Sequence, residues 1–114
     1  MVKYILVISI SLILINKAIA ASNNLFFTTA QLMTYCRSEN NYEQGICDGY
    51  IISVNDVIYS LDEEKVNICI PPNIPIKKIR LSLIGFVIDN AELMSVEANK
   101  VIGKFFLNNF KCRR

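Results

Sequence analysis

The residues of this 114-residue sequence best suited to covalent chemistry are its four cysteines, Cys36, Cys47, Cys69 and Cys112, and there is no histidine to activate them. A thiol or hydroxyl nucleophile is usually activated by a neighbouring imidazole, so Cys-His and Ser-His-Asp catalysis are excluded, as are zinc sites with imidazole ligands. Four thiolates alone could hold zinc, but structural sites use close CxxC pairs, and the gaps here are 11, 22 and 43 residues. An even cysteine set in so short a chain reads instead as two disulfides, which implies an oxidising compartment.

The carboxylates offer little more. Asp48 and Asp56 lie eight residues apart, or ~12 Å along a helix, beyond even the ~6.5–9.5 Å of an inverting glycosidase pair. Asp48 reads as a residue at a helix start, Asp56 as a solvated or polar partner position, and Asp62-Glu63-Glu64 as an exposed helix end. Lys77, Lys78 and Arg80 form a small basic patch at the start of a helix, where positive charge opposes the dipole. They read as solvated side chains or as a surface for an acidic partner. No Gly-rich phosphate loop is present. No catalytic residue, no metal and no cofactor is therefore expected.

These residues must be positioned by a chain whose first twenty residues look like a targeting segment. Lys3 supplies the positive start, Tyr4–Ile15 is a nearly unbroken apolar run, and Ala18-Ile19-Ala20 offers the small residues a signal peptidase reads. The run is interrupted by Asn16 and Lys17, short of the ~20 apolar residues a membrane span needs. Residues 1–20 are expected to be a cleaved signal peptide, leaving a single exported domain, 21–114, that does not stay in the membrane. Losing Lys3 and Lys17 brings the 12 basic residues down to 10, equal to the acidic ones. A neutral domain is a poor ligand for nucleic acid or an anionic bilayer.

Periodicity in the remainder predicts four helices. The first starts at Thr28, where Thr28 and Gln31 can form a capping box with Phe27 stapled on Leu32, and it runs to about Arg37. A polar loop, Ser38 to Gly45, follows. From Asp48, apolar residues at Tyr50, Ile51, Val54, Val57, Ile58 and Leu61 mark a second helix, too long for a strand. All three prolines lie in Cys69-Ile70-Pro71-Pro72-Asn73-Ile74-Pro75, an extended connector. A third helix begins at Pro75 with its stripe at Ile76, Ile79, Leu83, Ile84 and Val87, and ends near Asp89-Asn90. The last is expected to be capped by Asp89 or Asn90, with Glu92 in its first turn, a stripe of Met94, Ala98, Val101, Ile102, Phe105 and Phe106, and Lys104 and Lys111 favouring its C-terminal dipole. Four such stripes bury one another in a small all-α, disulfide-bonded bundle. A helix between Cys47 and Cys69 holds them ~20 Å apart, which no disulfide spans. Cys36 with Cys47 and Cys69 with Cys112 is the favoured pairing. Tyr42, alone in a polar loop, is an aromatic without a core role and suits an interface anchor.

The chain resembles the Rap/Tai-type immunity proteins, on four blocks. These are Leu32-Met33-Thr34-Tyr35-Cys36, the Cys47-Asp48-Gly49-Tyr50-Ile51-Ile52-Ser53-Val54-Asn55-Asp56 run, Cys69-Ile70-Pro71-Pro72-Asn73-Ile74, and the closing Phe110-Lys111-Cys112. It departs from the common pattern at Ser53, at Asn73-Ile74-Pro75 and at Asp89-Asn90-Ala91-Glu92, which leaves effector specificity open. The resemblance implies an all-α, disulfide-bonded, usually homodimeric periplasmic protein without enzymatic activity, which blocks the active-site cleft of a peptidoglycan amidase effector of type VI secretion. An envelope or stress-response binding protein of the same fold, with no toxin partner, is the alternative. Of the segments able to occlude such a cleft, Ser38 to Gly45 stands out for Glu39, Asn41, Tyr42 and Glu43 between two cysteines, with the connector around Asn73 and the Asp89-Asn90 turn as rivals.

Overall fold

Residues 25–61 and 67–113 are described by the computed structural model. The leader 1–20, its cleavage point after Ala20 and the Asp62-Glu63-Glu64-Lys65 segment lie outside them.

The first helix, α1 (Thr29–Cys36), starts as its sequence dictates. The Gln31 amide donates to Thr28 Oγ1 (3.2 Å) and the Thr28 amide to Gln31 Oε1 (2.9 Å), so two otherwise orphaned donors are satisfied reciprocally. Phe27, just before the cap, places its ring 5.8 Å from that of Tyr35 and 5.6 Å from that of Tyr50, stitching α1 to the next helix.

That helix, α2 (Asn41–Leu61), begins earlier than its apolar pattern suggests. The expected loop to Gly45 shrinks to a turn at residues 38–40, because Asn40 caps the helix. Its Oδ1 accepts from the amides of Tyr42 (2.8 Å) and Glu43 (3.3 Å). Polar residues at 41–44 conceal the start, since a first turn facing water needs no apolar stripe, and Gly45 is absorbed at the ~1 kcal/mol a helical glycine costs. Along the expected stripe Ile51 is buried and Tyr50, Val54 and Ile58 pack on the core, but Val57 and Leu61 are exposed.

The connector is not extended throughout as expected: it turns at Pro72-Asn73, where Asn73 takes φ 68°, a left-handed value asparagine tolerates well. It leads to α3 (Ile76–Asp89), whose cap is Pro75. Asn90 then turns back, its Nδ2 donating to Phe86 O (2.8 Å) instead of capping the last helix. A 3₁₀ segment, Ala91–Ser95, and an extended Val96 intervene before α4 (Ala98–Asn109). Met94 is therefore half-buried outside α4, and neither Lys104 nor Lys111 falls in its last turn. Val96 is held out of the helix by Thr29, whose amide and hydroxyl both donate to Val96 O (2.8 and 2.9 Å).

The four helices enclose one apolar core. Leu32 and Met33 come from α1, Ile51 from α2, Ile79, Leu83 and Val87 from α3, and Val101, Ile102, Phe105 and Phe106 from α4. Phe105 lies at the centre of an aromatic group with ring distances of 5.7 Å to Phe86, 5.4 Å to Phe106 and 5.9 Å to Phe110. Two disulfides, Cys36–Cys47 and Cys69–Cys112, complete the frame with Cα separations of 5.0 and 4.8 Å, in the expected pairing. Beside the second, the Cys69 amide donates to Phe110 O (2.6 Å) and Tyr59 Oη to Ile68 O (2.9 Å), fixing the connector against α4 and α2.

The bridges differ in access: Cys36 and Cys47 are buried, whereas Cys69 is exposed and Cys112 half-buried. Thiol exchange needs an attacking thiolate to reach a sulfur. Limited reduction of the folded protein is expected to open Cys69–Cys112 first. Differential alkylation with peptide mapping checks this, and prior labelling of Cys36 or Cys47 contradicts it.

Candidate partner-binding surface

The edge formed by the 38–40 turn and the first turn of α2 carries all four residues expected to make partner contacts. Glu39 and Asn41 are exposed, Tyr42 is 79% exposed, and Glu43 is half-buried. Successive helical residues point ~100° apart, so Asn41, Tyr42 and Glu43 fan out and do not share one face. Tyr42 projects into solvent. Glu43 turns back towards α1, where it lines a shallow groove of about 310 Å³ with Phe27, Gln31, Thr34 and Tyr35. The edge is closed at its base by the buried Cys36–Cys47 bridge.

Beneath it lies a polar cluster that the sequence did not reveal. Arg80, read as part of an exposed basic patch, is only 6% exposed, and its Nη1 donates to both carboxylate oxygens of Asp48, at 2.6 and 2.5 Å. Its Nη2 donates to Gln44 Oε1 at 3.3 Å. Lys77 and Lys78 do remain exposed. The signal was present but ambiguous: Arg80 stands four residues after Ile76 and three before Leu83, on the apolar stripe of α3. A charge at such a position needs a partner from another element, and 32 residues of sequence separate this one. Asp48 is thus occupied by Arg80, Asp56 is exposed, and the two form no acid/base pair. Among the described residues no group of three or more His, Cys, Asp or Glu side chains could hold a metal ion.

A second surface lies between α2 and α4. There Leu25, Phe26, Tyr50, Val57 and Leu61 border an open, mainly apolar groove of about 570 Å³. Leu25 and Leu61 are 92% and 78% exposed. Burial raises the Tyr50 hydroxyl above its ordinary range, with the charge of Glu97 adding to the shift and a hydrogen bond from the Asn99 backbone opposing it. The rival contact sites, Asn73 and Asp89, are exposed, while Asn90 is half-buried and engaged with Phe86.

The family model for Rap1a immunity proteins matches residues 28–112, which include all four helices of the described residues and both disulfides. No curated protein and no solved structure matches the chain.

Removing one member of the Arg80–Asp48 pair strands a charge in a mostly dry site. Arg80→Met is expected to cost about 3 kcal/mol in urea unfolding at neutral pH, towards the low end for buried pairs because the Asp48 side chain keeps 19% exposure. The double variant Asp48→Leu/Arg80→Met is expected to lose less than the single one. A double-variant loss equal to the sum of the Asp48→Leu and Arg80→Met single losses would show that the pair is not coupled.

Proposed function

We propose, because this chain belongs to the Rap1a immunity protein family, that it protects its own cell by binding and inhibiting a peptidoglycan amidase effector of type VI secretion in the periplasm. The family implies a protein that acts by binding a cognate effector, not by catalysis. The observation that carries the finer reading is the edge around Tyr42: an exposed aromatic flanked by acidic and amide side chains, on a turn whose two ends are disulfide-linked. A partner cleft is best blocked by a projection that is already ordered, since each side chain immobilised on binding otherwise costs ~0.5–1.5 kcal/mol. Periplasmic residence is supported by the leader-like residues 1–20 and by two disulfides, which persist only in an oxidising compartment.

A second copy of the chain is the occupant we assign to the groove between α2 and α4. Val54, Val57, Ile58 and Leu61 follow i, i+3, i+4, i+7 spacing on α2, and Val57 and Leu61 of that stripe are exposed. A two-fold axis would bring the same stripe from each protomer together, an isologous contact.

Titration of the exported protein into a Cys/His peptidoglycan amidase tests the main reading, with stoichiometric loss of cell-wall hydrolysis expected. Tyr42→Ala, with helicity unchanged, is expected to weaken that complex by ~2 kcal/mol or more if the ring is a buried anchor; unaltered affinity moves the inhibitory surface elsewhere. Val57→Asp is expected to convert a dimer to a monomer in sedimentation without loss of helicity. A Val57→Asp variant that sediments as a dimer would exclude the groove as the interface.

A further inference from the structure

We propose that Gln44 and Arg80, neither of them among the residues expected to touch the partner, are positioning residues that set the conformation of the Tyr42 edge, Gln44 from within its first turn and Arg80 from α3, and thereby tune partner recognition; this rests on that edge being the contact surface. The hydrogen bonds form one connected path. Arg80 Nη2 donates to Gln44 Oε1 (3.3 Å), and Gln44 Nε2 donates to Ser38 O (2.7 Å). Ser38 Oγ accepts from the Asn40 amide (3.1 Å), and Asn40 Oδ1 accepts from the amides of Tyr42 and Glu43. Asn40 O also accepts from the Gln44 amide (3.0 Å), closing the turn on itself.

The side-chain amide of Gln44 is the joint. Its oxygen meets a guanidinium, which only donates, and its nitrogen meets a carbonyl, which only accepts, so its orientation is fixed at both ends. The Cys36–Cys47 bridge ties the ends of the segment but does not choose a conformation between them. Gln44 does so, and Arg80 holds Gln44. Arg80 is itself held by both oxygens of Asp48, one turn further along α2. Arginine suits the task because its planar fork reaches Asp48 and Gln44 together, whereas an ammonium on a flexible stem offers no such fixed geometry. Residue 80 is therefore a place where recognition is altered without touching a contacting side chain.

Three variants of the full exported chain, each with both disulfides intact, test this. Gln44→Leu removes both arms of the joint, Gln44→Glu keeps an acceptor for Arg80 but loses the donor to Ser38, and Arg80→Lys keeps a cation for Asp48 but loses the fork. In the free protein, hydrogen exchange at the Tyr42, Glu43 and Gln44 amides is expected to accelerate about tenfold in all three, while the Leu32 and Ile102 amides change less than about twofold, a local opening and not a global one. Dissociation of the amidase complex is expected to accelerate by a similar factor. Unchanged exchange at the edge overturns the proposal, as does normal exchange in Gln44→Glu alone, because the Ser38 arm would then be idle. Faster exchange with unaltered amidase dissociation, in a protein where Tyr42→Ala does weaken the complex, also overturns it. If Tyr42→Ala has no effect either, the contact-edge reading has failed, and the exchange data still report separately on whether the path orders the turn.

Discussion

Cys36 and Cys47 meet in the interior, 3% and 0% exposed, and the rest of the molecule is arranged around the point where they join. An eight-residue helix such as α1 has no stability of its own in water, since nucleation is costly and few hydrogen bonds follow. Tied to the second turn of α2, its end is no longer free. The reciprocal cap at Thr28 then fixes its start, and Leu32 and Met33 between these points are delivered to α3 and α4 as a formed surface. In the chain-entropy model the short loop closed by this bridge is worth about 3 kcal/mol and the longer Cys69–Cys112 loop about 4 kcal/mol, a large share of the stability of so small a domain.

The second bridge solves a different problem. The proline-rich connector can donate few backbone hydrogen bonds and belongs to no helix, yet it must return the chain from the end of α2 to the start of α3. Anchoring Cys69 to Cys112 gives it a fixed point, and two backbone bonds beside the sulfurs, Cys69 to Phe110 and Cys112 to Asn67, complete a short bridge between strand-like segments. Because the closing residues are near the surface, this end of the molecule depends on an oxidising environment more directly than the Cys36–Cys47 end does.

Much of this was legible in the sequence because its signals are local. The Thr28–Gln31 box, the stripes of α3 and α4, the prolines of the connector and the cysteine pairing each follow from spacing within a few turns or from a single helical distance. What was not legible depended on residues meeting across the chain. Asn40 caps α2, yet 41–44 are polar enough to pass for loop, so periodicity could not see the helix until its buried face began at Cys47. Asn90 bonds backwards to Phe86, and Val96 is drawn out by Thr29, so the last helix starts at Ala98 and not at the first available cap. Arg80 sits within a basic triplet, and only its place on an apolar stripe separates it from Lys77 and Lys78. The contact residues named from the sequence lie on one edge, but helical geometry turns Glu43 away from Tyr42.

Placing the edge on a helix start, not in a loop, changes what kind of surface it is. A loop adapts to its partner and loses entropy on binding; a capped first turn with an internal hydrogen-bond network presents one shape and selects partners that fit it. The apolar groove between α2 and α4 involves the other end of α2, so one 21-residue helix connects both surfaces. Its first turns are ordered by polar contacts to the 38–40 turn and α3, its last turns by apolar contacts to α4, and the buried Cys47 and Ile51 separate the two regimes. The groove and the Tyr42 edge therefore lie at opposite ends of α2, and covering one leaves the other free.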